Sequence, residues 1–252
     1  ENLVESGKRR VFLGAGNCLI GNVRNNPNSM AIAWLGSGNA TAMVGYVVTS
    51  WYGRSGWGAL KYWISNPGRY TLAEAVYLNE QDMLHQMNEW NADFNKINYP
   101  YAVHEVLFRK SLHAAEEAIR EGTGIKRPTK DQIGFLYDRD VLAYYGDPKW
   151  NVRLQPVAGE QDYTVDYKIT KKKCIITIKT GKDFDLNRML GANFKQVHVK
   201  NLPFSCFFPK RLNHPVPEGD YPWNIVCDDD FMFIYNPDFK ADSVYKIVLN
   251  MD

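Results

Sequence analysis

The sequence predicts an α/β domain with a parallel sheet, followed by a small all-β sandwich. Residues 1–155 alternate short apolar runs with long helical patterns, which is typical of strands connected by helices. Residues 156–252 instead alternate apolar and polar side chains over short runs that are separated by turn residues. We expect two domains that meet near Gln155, since 252 residues with 45% apolar side chains are enough to fill two modest cores.

The first domain opens with a strand, a helix and a second strand. Residues 10–15 form a continuous apolar run, which predicts a strand buried on both faces. A helix follows over residues 29–35, with Ser29 or Asn28 as its N-cap, and residues 41–48 predict the second strand. Crossovers of this kind usually join parallel strands of one sheet.

Two longer helices and a third strand complete the first domain. Thr71 and Glu74 match the capping box, which predicts a helix from there to about residue 94. Residues 102–121 predict another helix, which ends before Gly122. Residues 140–145 predict a strand, and the second domain adds short strands at residues 163–169, 174–179, 196–199, 223–227, 231–235 and 244–249.

The composition excludes several classes of function. The formal net charge is +2, and neither half of the chain is basic enough for a nucleic-acid or membrane-surface partner. No apolar run approaches the roughly 18 residues that a membrane span requires. The four cysteines lack metal-ligand spacing and are too few for a dense disulfide framework. Aromatic residues reach 13%, which favours a protein that handles peptides or glycans.

Two segments that follow predicted strands are candidates for a functional site. In parallel α/β sheets, functional residues gather beyond the carboxyl ends of the strands. Cys18 lies there among small residues, with a backbone N–H that is able to help hold an oxyanion, although a buried structural cysteine is the alternative. Ser50, Trp51 and Tyr52 follow the second strand and predict the wall of a peptide pocket in a glycine-loosened loop. The alternative for the aromatic residues is core packing.

Other polar pairs favour structural interpretations. His113 and Glu117 are four residues apart, so they predict either one half of a metal site or a solvated helix face, and the same holds for His104 with Glu105. Asp138 and Asp140, like the acidic run at residues 228–230, predict turns.

Five motifs occur in the order found in one peptidase family. They are the segment Ala-Gly-Asn-Cys-Leu-Ile-Gly after the first strand, the helix at residues 30–35, Ser50-Trp-Tyr after the second strand, the helix start at residues 67–75, and Leu-Ala-Tyr-Tyr-Gly-Asp-Pro at residues 142–148. Together they resemble the second part of the catalytic domain of the gingipain family of cysteine peptidases. The resemblance covers about residues 10–155 and implies a caspase-like fold, commonly followed by an immunoglobulin-like β domain.

The resemblance also implies roles for individual residues. Cys18 would be the thiol nucleophile of peptide-bond hydrolysis, and Ser50, Trp51 and Tyr52 would belong to the substrate pocket. No cofactor is required in that family, although structural calcium occurs in it. The implied partners are a polypeptide substrate and the protein's own N-terminal segment, and the implied location is extracellular, periplasmic or on a bacterial cell surface.

One departure from the family leaves the activity open. The family's histidine base lies in a His-Gly turn before the cysteine, and residues 1–17 contain no histidine. We therefore expect the first domain to be incomplete at its N-terminus, with the histidine upstream of Glu1. The alternatives are an inactive secreted protein that binds peptides or mediates surface adhesion, and an unrelated α/β domain in which Cys18 belongs to the core.

Overall fold

The computed structural model describes residues 8–24, 27–36, 39–101, 108–150, 152–156, 162–195 and 199–252. These residues form two compact units that divide between Leu154 and Gln155. Residues 65–67 are assigned to the second unit and Val199 to the first. None of the described helices is long and apolar enough to cross a membrane.

The first unit is a mixed α/β fold. Its elements in chain order are β1 (Arg10–Gly14), α1 (Met30–Gly36), β2 (Ala40–Tyr46), α2 (Arg54–Ser65), α3 (Leu72–Trp90), a 3-10 turn (Phe94–Lys96), α4 (Phe108–Thr123), α5 (Lys130–Asp138) and β3 (Leu142–Gly146).

The three strands form one sheet in the order β1-β2-β3. Strands β1 and β2 are adjacent and parallel, as predicted. Strand β3 is antiparallel to β2, so the prediction of an all-parallel sheet is wrong. Strand β3 begins at Leu142, which pairs with Tyr46, the last residue of β2. From that position β3 is able to pair with the rest of β2 only by running in the opposite direction. Strand β1 is half-buried over residues 11–13 rather than buried on both faces, because it is an outer strand of the described sheet.

The predicted helix starts agree with the structure where they can be compared. The Ser29 hydroxyl accepts the backbone N–H of Ile32 at 3.3 Å, just before α1. Thr71 and Glu74 form both hydrogen bonds of the capping box, and α3 ends at Trp90, four residues earlier than predicted. Helix α4 ends at Thr123, and the predicted start of this helix, at residue 102, lies outside the described residues.

Two helices of the first unit were not predicted. Helix α2 occupies the segment that the sequence presents as a glycine-loosened loop, so that interpretation is wrong beyond Gly53. Gly56 and Gly58 lie inside α2 as points of close approach: a Cβ atom on Gly58 would overlap the Asn79 side chain. Helix α5 begins with a capping box of Thr129 and Gln132.

The second unit consists of two antiparallel sheets. One has the strand order β4-β5-β10-β7 and the other β6-β9-β8. The elements are β4 (Tyr163–Ile169), β5 (Lys173–Thr180), the short helix α6 (Leu186–Met189), β6 (Phe204–Phe207), β7 (Val216–Pro217), β8 (Asn224–Cys227), β9 (Phe231–Tyr235) and β10 (Val244–Asn250). Strands β6 and β7 were not predicted, and most of the strand predicted at residues 196–199 lies outside the described residues.

The two sheets of the second unit share one core. Cys174, Ile176 and Ile178 are buried at alternate positions of β5, which confirms the predicted period of two. They pack in the same cluster as Phe204 of β6 and Met232 of β9, which belong to the other sheet. The unit is therefore a small antiparallel sandwich.

The first unit contains a buried ion pair between α2 and α3. The Arg54 guanidinium donates to the Asp82 carboxylate at 2.6 Å, and the two side chains are 3% and 2% exposed. Arg54 also donates to the Asn79 side chain, and Gln86 donates to the second oxygen of Asp82 at 2.8 Å. Hydrogen bonds thus satisfy both charges inside the unit.

We predict that Asp82→Asn destabilises the first unit by about 3–5 kcal/mol, because it leaves the Arg54 charge buried without its counter-ion. The measurement is urea unfolding followed by tryptophan fluorescence. Of the seven tryptophans, Trp223 alone belongs to the second unit, so the signal reports mainly on the first.

The matched control is Asp93→Asn. Asp93 makes an exposed ion pair with Lys96 at 2.8 Å, so its loss should leave the urea midpoint almost unchanged. Equal midpoints for the two variants would contradict a structural role for the buried pair.

Candidate functional site

Cys18 lies in a tight loop beyond the carboxyl end of β1. In this loop, residues 15–22, the chain turns back along the end of β2: the Leu19 N–H donates to the Val48 carbonyl at 3.1 Å and the Gly21 N–H to the Tyr46 carbonyl at 2.9 Å. Leu19 has a φ of 60°, a left-handed conformation that is uncommon for a branched side chain. The loop leaves the Cys18 side chain exposed.

The structure brings Cys18 and Ser50 together. Ser50 belongs to the segment of residues 47–53 that connects β2 to α2, which we call the Ser50 segment. The Cys18 Sγ atom lies 3.3 Å from the Ser50 hydroxyl oxygen and 3.5 Å from the Ser50 carbonyl oxygen. The contact forms because the loop after β1 and the segment after β2 leave the same edge of a parallel strand pair.

The surroundings of Cys18 include a backbone donor but no base. The Cys18 N–H has no hydrogen-bond acceptor within the described part of the chain, so it is able to donate to a bound oxygen atom. Among the described residues, Ser50 supplies the polar contacts of the thiol, and no histidine is a partner of it. His104 and His198 lie outside the described residues.

The buried carboxylate of Asp138 holds both ends of the Ser50 segment. At the far end, Asp138 accepts the backbone N–H of Ser55 at 2.9 Å, in the first turn of α2. At the near end, the hydroxyl of Tyr46 donates to the same carboxylate oxygen at 3.3 Å. The Tyr46 hydroxyl also accepts the Gly56 N–H at 2.8 Å. Asp138, from α5, therefore caps the amino end of α2 and ties it to the last residue of β2.

Burial changes the acidity of two carboxyl groups in this network. Burial raises the pKa of Asp138 to about 6, although the Ser55 N–H lowers it. Burial, and after it the charge of Asp138, raise the pKa of Glu80 on α3 to about 8. The Oε1 atom of Glu80 and the Oδ1 atom of Asp138 are both buried and have no hydrogen-bond partner within the described residues. Ionising both groups at once is therefore unfavourable.

Trp51 and Tyr52 differ in accessibility. Tyr52 is buried, packs in the core with Phe135 and donates its hydroxyl to Asp131 at 2.7 Å. Trp51 is half-buried, and the Lys130 ammonium lies 5.8 Å from the centre of its ring. Of the three residues assigned to the pocket wall, Ser50 and Trp51 keep accessible surface, and Ser50 contacts Cys18.

The remaining polar candidates have structural roles. His113 and Glu117 form an exposed pair at 3.3 Å on α4. The Asp228 N–H donates to the Phe231 carbonyl at 3.0 Å, which confirms the turn predicted at residues 228–230. Asp229 accepts the Arg211 guanidinium at 2.9 Å and the His214 backbone N–H at 3.1 Å. Within the described ranges, no three His, Cys, Asp or Glu side chains are grouped for metal binding. An open cavity of about 390 Å³, lined by Asp93, Lys96, Ile97, Asn98, Ala118, Glu121 and Gly122, does not include Cys18.

The sequence did not predict that Asp138 is a buried residue of the candidate site. It is fully buried at the end of α5, so the interpretation as a turn residue is wrong for Asp138, whereas Asp140 is exposed and pairs with Arg139. The available signal was the capping box of Thr129 and Gln132, the same pattern that predicts α3. That pattern would have predicted that a helix begins after Thr129, and so that Asp138 follows a helical segment rather than lying in a loop.

We predict that Gly56→Ala destabilises the first unit by about 1–3 kcal/mol and slows alkylation of Cys18, because a Cβ atom there would overlap the Ala15 carbonyl at the start of the Cys18 loop. Urea unfolding and mass-spectrometric alkylation rates measure the two effects. In Gly36→Ala, the added Cβ meets no atom within 4 Å, so both quantities should stay near those of the wild type. If the stability and the alkylation rate of Gly56→Ala matched those of the wild type, the loop would not be packed tightly on α2.

We also predict that the first unit loses stability as the pH rises from about 5 to about 8. The folded-state pKa values of Asp138 and Glu80 are raised, so between the unfolded and folded pKa values the folded protein binds more protons. Stability therefore falls through this window, because both carboxyl groups ionise more readily in the unfolded chain.

Glu80→Gln should flatten the pH dependence above about pH 6, as measured by urea midpoints at several pH values. Glu89→Gln, at an exposed position of the same helix, is the control and should keep the wild-type slope. Identical slopes in the two variants would mean that Glu80 is ionised in the folded protein throughout this range.

No protein-family model matches the sequence, and comparisons with curated proteins and with solved structures find no match either. The function therefore has to be argued from the site itself.

Proposed function

We propose that the protein is a gingipain-like cysteine peptidase with a caspase-like first domain, in which Cys18 is the nucleophile. One observation carries the proposal: an exposed thiol beside the Ser50 hydroxyl, at the carboxyl ends of two adjacent parallel strands. Adjacent and parallel strands before Cys18 and Ser50 also weigh against an unrelated fold in which Cys18 is a core residue.

The proposed chemistry assigns a step to each group. The Cys18 thiolate attacks the carbonyl carbon of a peptide, and the backbone N–H of Cys18 donates to the oxygen that gains negative charge. The amine leaves with a proton as the C–N bond breaks, and water then hydrolyses the thioester. A histidine base, which the family resemblance implies, would take the thiol proton and deliver it to the amine.

The other three cysteines are less suited to nucleophilic chemistry. Cys174 and Cys206 are buried in the sandwich, and burial raises the pKa of Cys174. Burial, together with the neighbouring thiols of Cys206 and Cys174, raises the pKa of Cys227 to about 12. Because the thiolate is the reactive form, Cys18 is the best-placed nucleophile of the four.

The second candidate function is peptide binding or surface adhesion without hydrolysis. It is favoured by one observation, that no histidine among the described residues contacts the Cys18 thiol. In either case we propose, from the family resemblance, that the second unit has an immunoglobulin-like fold. Its role would be to support the first unit or to link it to a cell-surface or secretion module. The same resemblance places the protein outside the bacterial cytoplasm. A polypeptide is the ligand in both proposals.

We predict that iodoacetamide alkylates Cys18 in the folded protein at about pH 6 roughly tenfold faster than in the urea-unfolded chain. Comparing one cysteine in two states separates activation from simple exposure, and mass spectrometry assigns the modified residue. A folded-state rate equal to or below the unfolded one would refute an activated nucleophile.

Incubation with a peptide library separates the two functions. The peptidase proposal expects cleavage that Cys18→Ala abolishes and that Cys227→Ala retains. Retention of the same peptides by wild type and Cys18→Ala, with no new termini in either, would refute hydrolysis and support binding.

A further inference from the structure

Tyr137 contacts both neighbours of Ser50. It is fully buried, one residue before Asp138 in α5. Its hydroxyl donates to the carbonyl oxygen of Thr49 at 2.8 Å. Its ring meets the Trp51 ring edge-on, with 6.5 Å between the ring centroids. Tyr137 therefore holds the Ser50 segment on each side of Ser50.

Tyr137 also lies within electrostatic range of Cys18. Burial, then the charge of Asp138, then that of Cys18 raise the pKa of Tyr137 to about 12. The phenol therefore stays protonated at neutral pH and acts as a hydrogen-bond donor. Its single proton is used in the bond to Thr49, whereas the polar contacts of the Cys18 thiol within the described chain are with Ser50. Any effect of Tyr137 on the thiol through hydrogen bonds must then pass through the Ser50 segment.

The position of Ser50 matters because its carbonyl oxygen and its hydroxyl oxygen act differently on the sulfur. The carbonyl oxygen of Ser50 accepts a hydrogen bond and therefore favours the neutral thiol. The hydroxyl lies 3.5 Å from the Gly16 carbonyl, to which it donates, and 3.3 Å from the sulfur. It is able to turn its proton to a thiolate instead and so favours the nucleophilic form. A small displacement of the segment would change which of the two oxygens the sulfur meets.

We propose that Tyr137 is a positioning residue that keeps the Ser50 hydroxyl at hydrogen-bonding distance from the Cys18 thiol. This inference rests on the proposed function, because it concerns the reactivity of the same nucleophile. It adds to that function a buried residue that touches neither the substrate nor the sulfur.

A double-mutant cycle on Cys18 alkylation tests the proposal. Iodoacetamide rates are measured by mass spectrometry between about pH 5 and pH 9 for wild type, Tyr137→Phe, Ser50→Ala and the double variant. We expect each single variant to slow alkylation at about pH 6.5 by up to about tenfold and to move the pH profile upward. The double variant should be no slower than Ser50→Ala, because Tyr137 acts through Ser50.

Tyr101→Phe is the matched control. Its hydroxyl donates to Asp140 at 3.2 Å in the same aromatic cluster and, among the described residues, makes no hydrogen bond to the Ser50 segment, so its alkylation profile should match that of the wild type. If Tyr137→Phe fails to fold, Trp51→Leu replaces it in the cycle, since it removes the ring contact on the other side of Ser50. A wild-type profile for the Tyr137 variant, or rate losses that multiply in the double variant, would overturn the proposal.

The double-mutant cycle and the peptide assay test the two proposals separately. Coupling between Tyr137 and Ser50 without peptide cleavage would refute the peptidase function but leave the positioning role supported. Cleavage without coupling would refute the positioning role alone.

Discussion

The buried carboxylate of Asp138 is the constraint on which the candidate site depends. It accepts hydrogen bonds from the first turn of α2 and from the Tyr46 hydroxyl at the end of β2. Both ends of the Ser50 segment are therefore fixed by one side chain from a third element, α5. Burying this group is costly, as its raised pKa shows, and the backbone donors offset only part of the cost.

The Cys18 loop depends on a different constraint, the close approach of backbones. Gly56 in α2 faces the Ala15 carbonyl, and Gly21 faces the Gly45 carbonyl, with no room for a Cβ atom at either glycine. Glycine is required there because any larger residue would push the loop away from β2 and α2. Hydrogen bonds also join the loop to the Ser50 segment, among them the bond from the Leu19 N–H to the Val48 carbonyl at 3.1 Å, and Cys18 meets Ser50 where the two converge.

The first unit contains a cluster of buried polar side chains. Arg54, Asp82, Asn79, Ser55 and Asp138 are all buried, and they are clustered around the amino-terminal half of α2. The second unit is held instead by an apolar core of alternating strand residues. Buried polar networks require one specific geometry, and this network fixes the ends of the segment that carries the Ser50 hydroxyl.

The sequence by itself determined the features that depend on short-range rules. Capping boxes predicted the start of α3 and could have predicted α5, alternation predicted β4, β5, β9 and β10, and the apolar run before Cys18 placed it beyond a strand end. Tertiary structure alone decided the direction of β3, the burial of Asp138 and the contact between Cys18 and Ser50. The physical reason is distance along the chain: Ser55 and Asp138 are 83 residues apart, and Cys18 and Ser50 are 32 apart. No local propensity encodes such pairs, because their free energy arises only when the sheet and helices are packed.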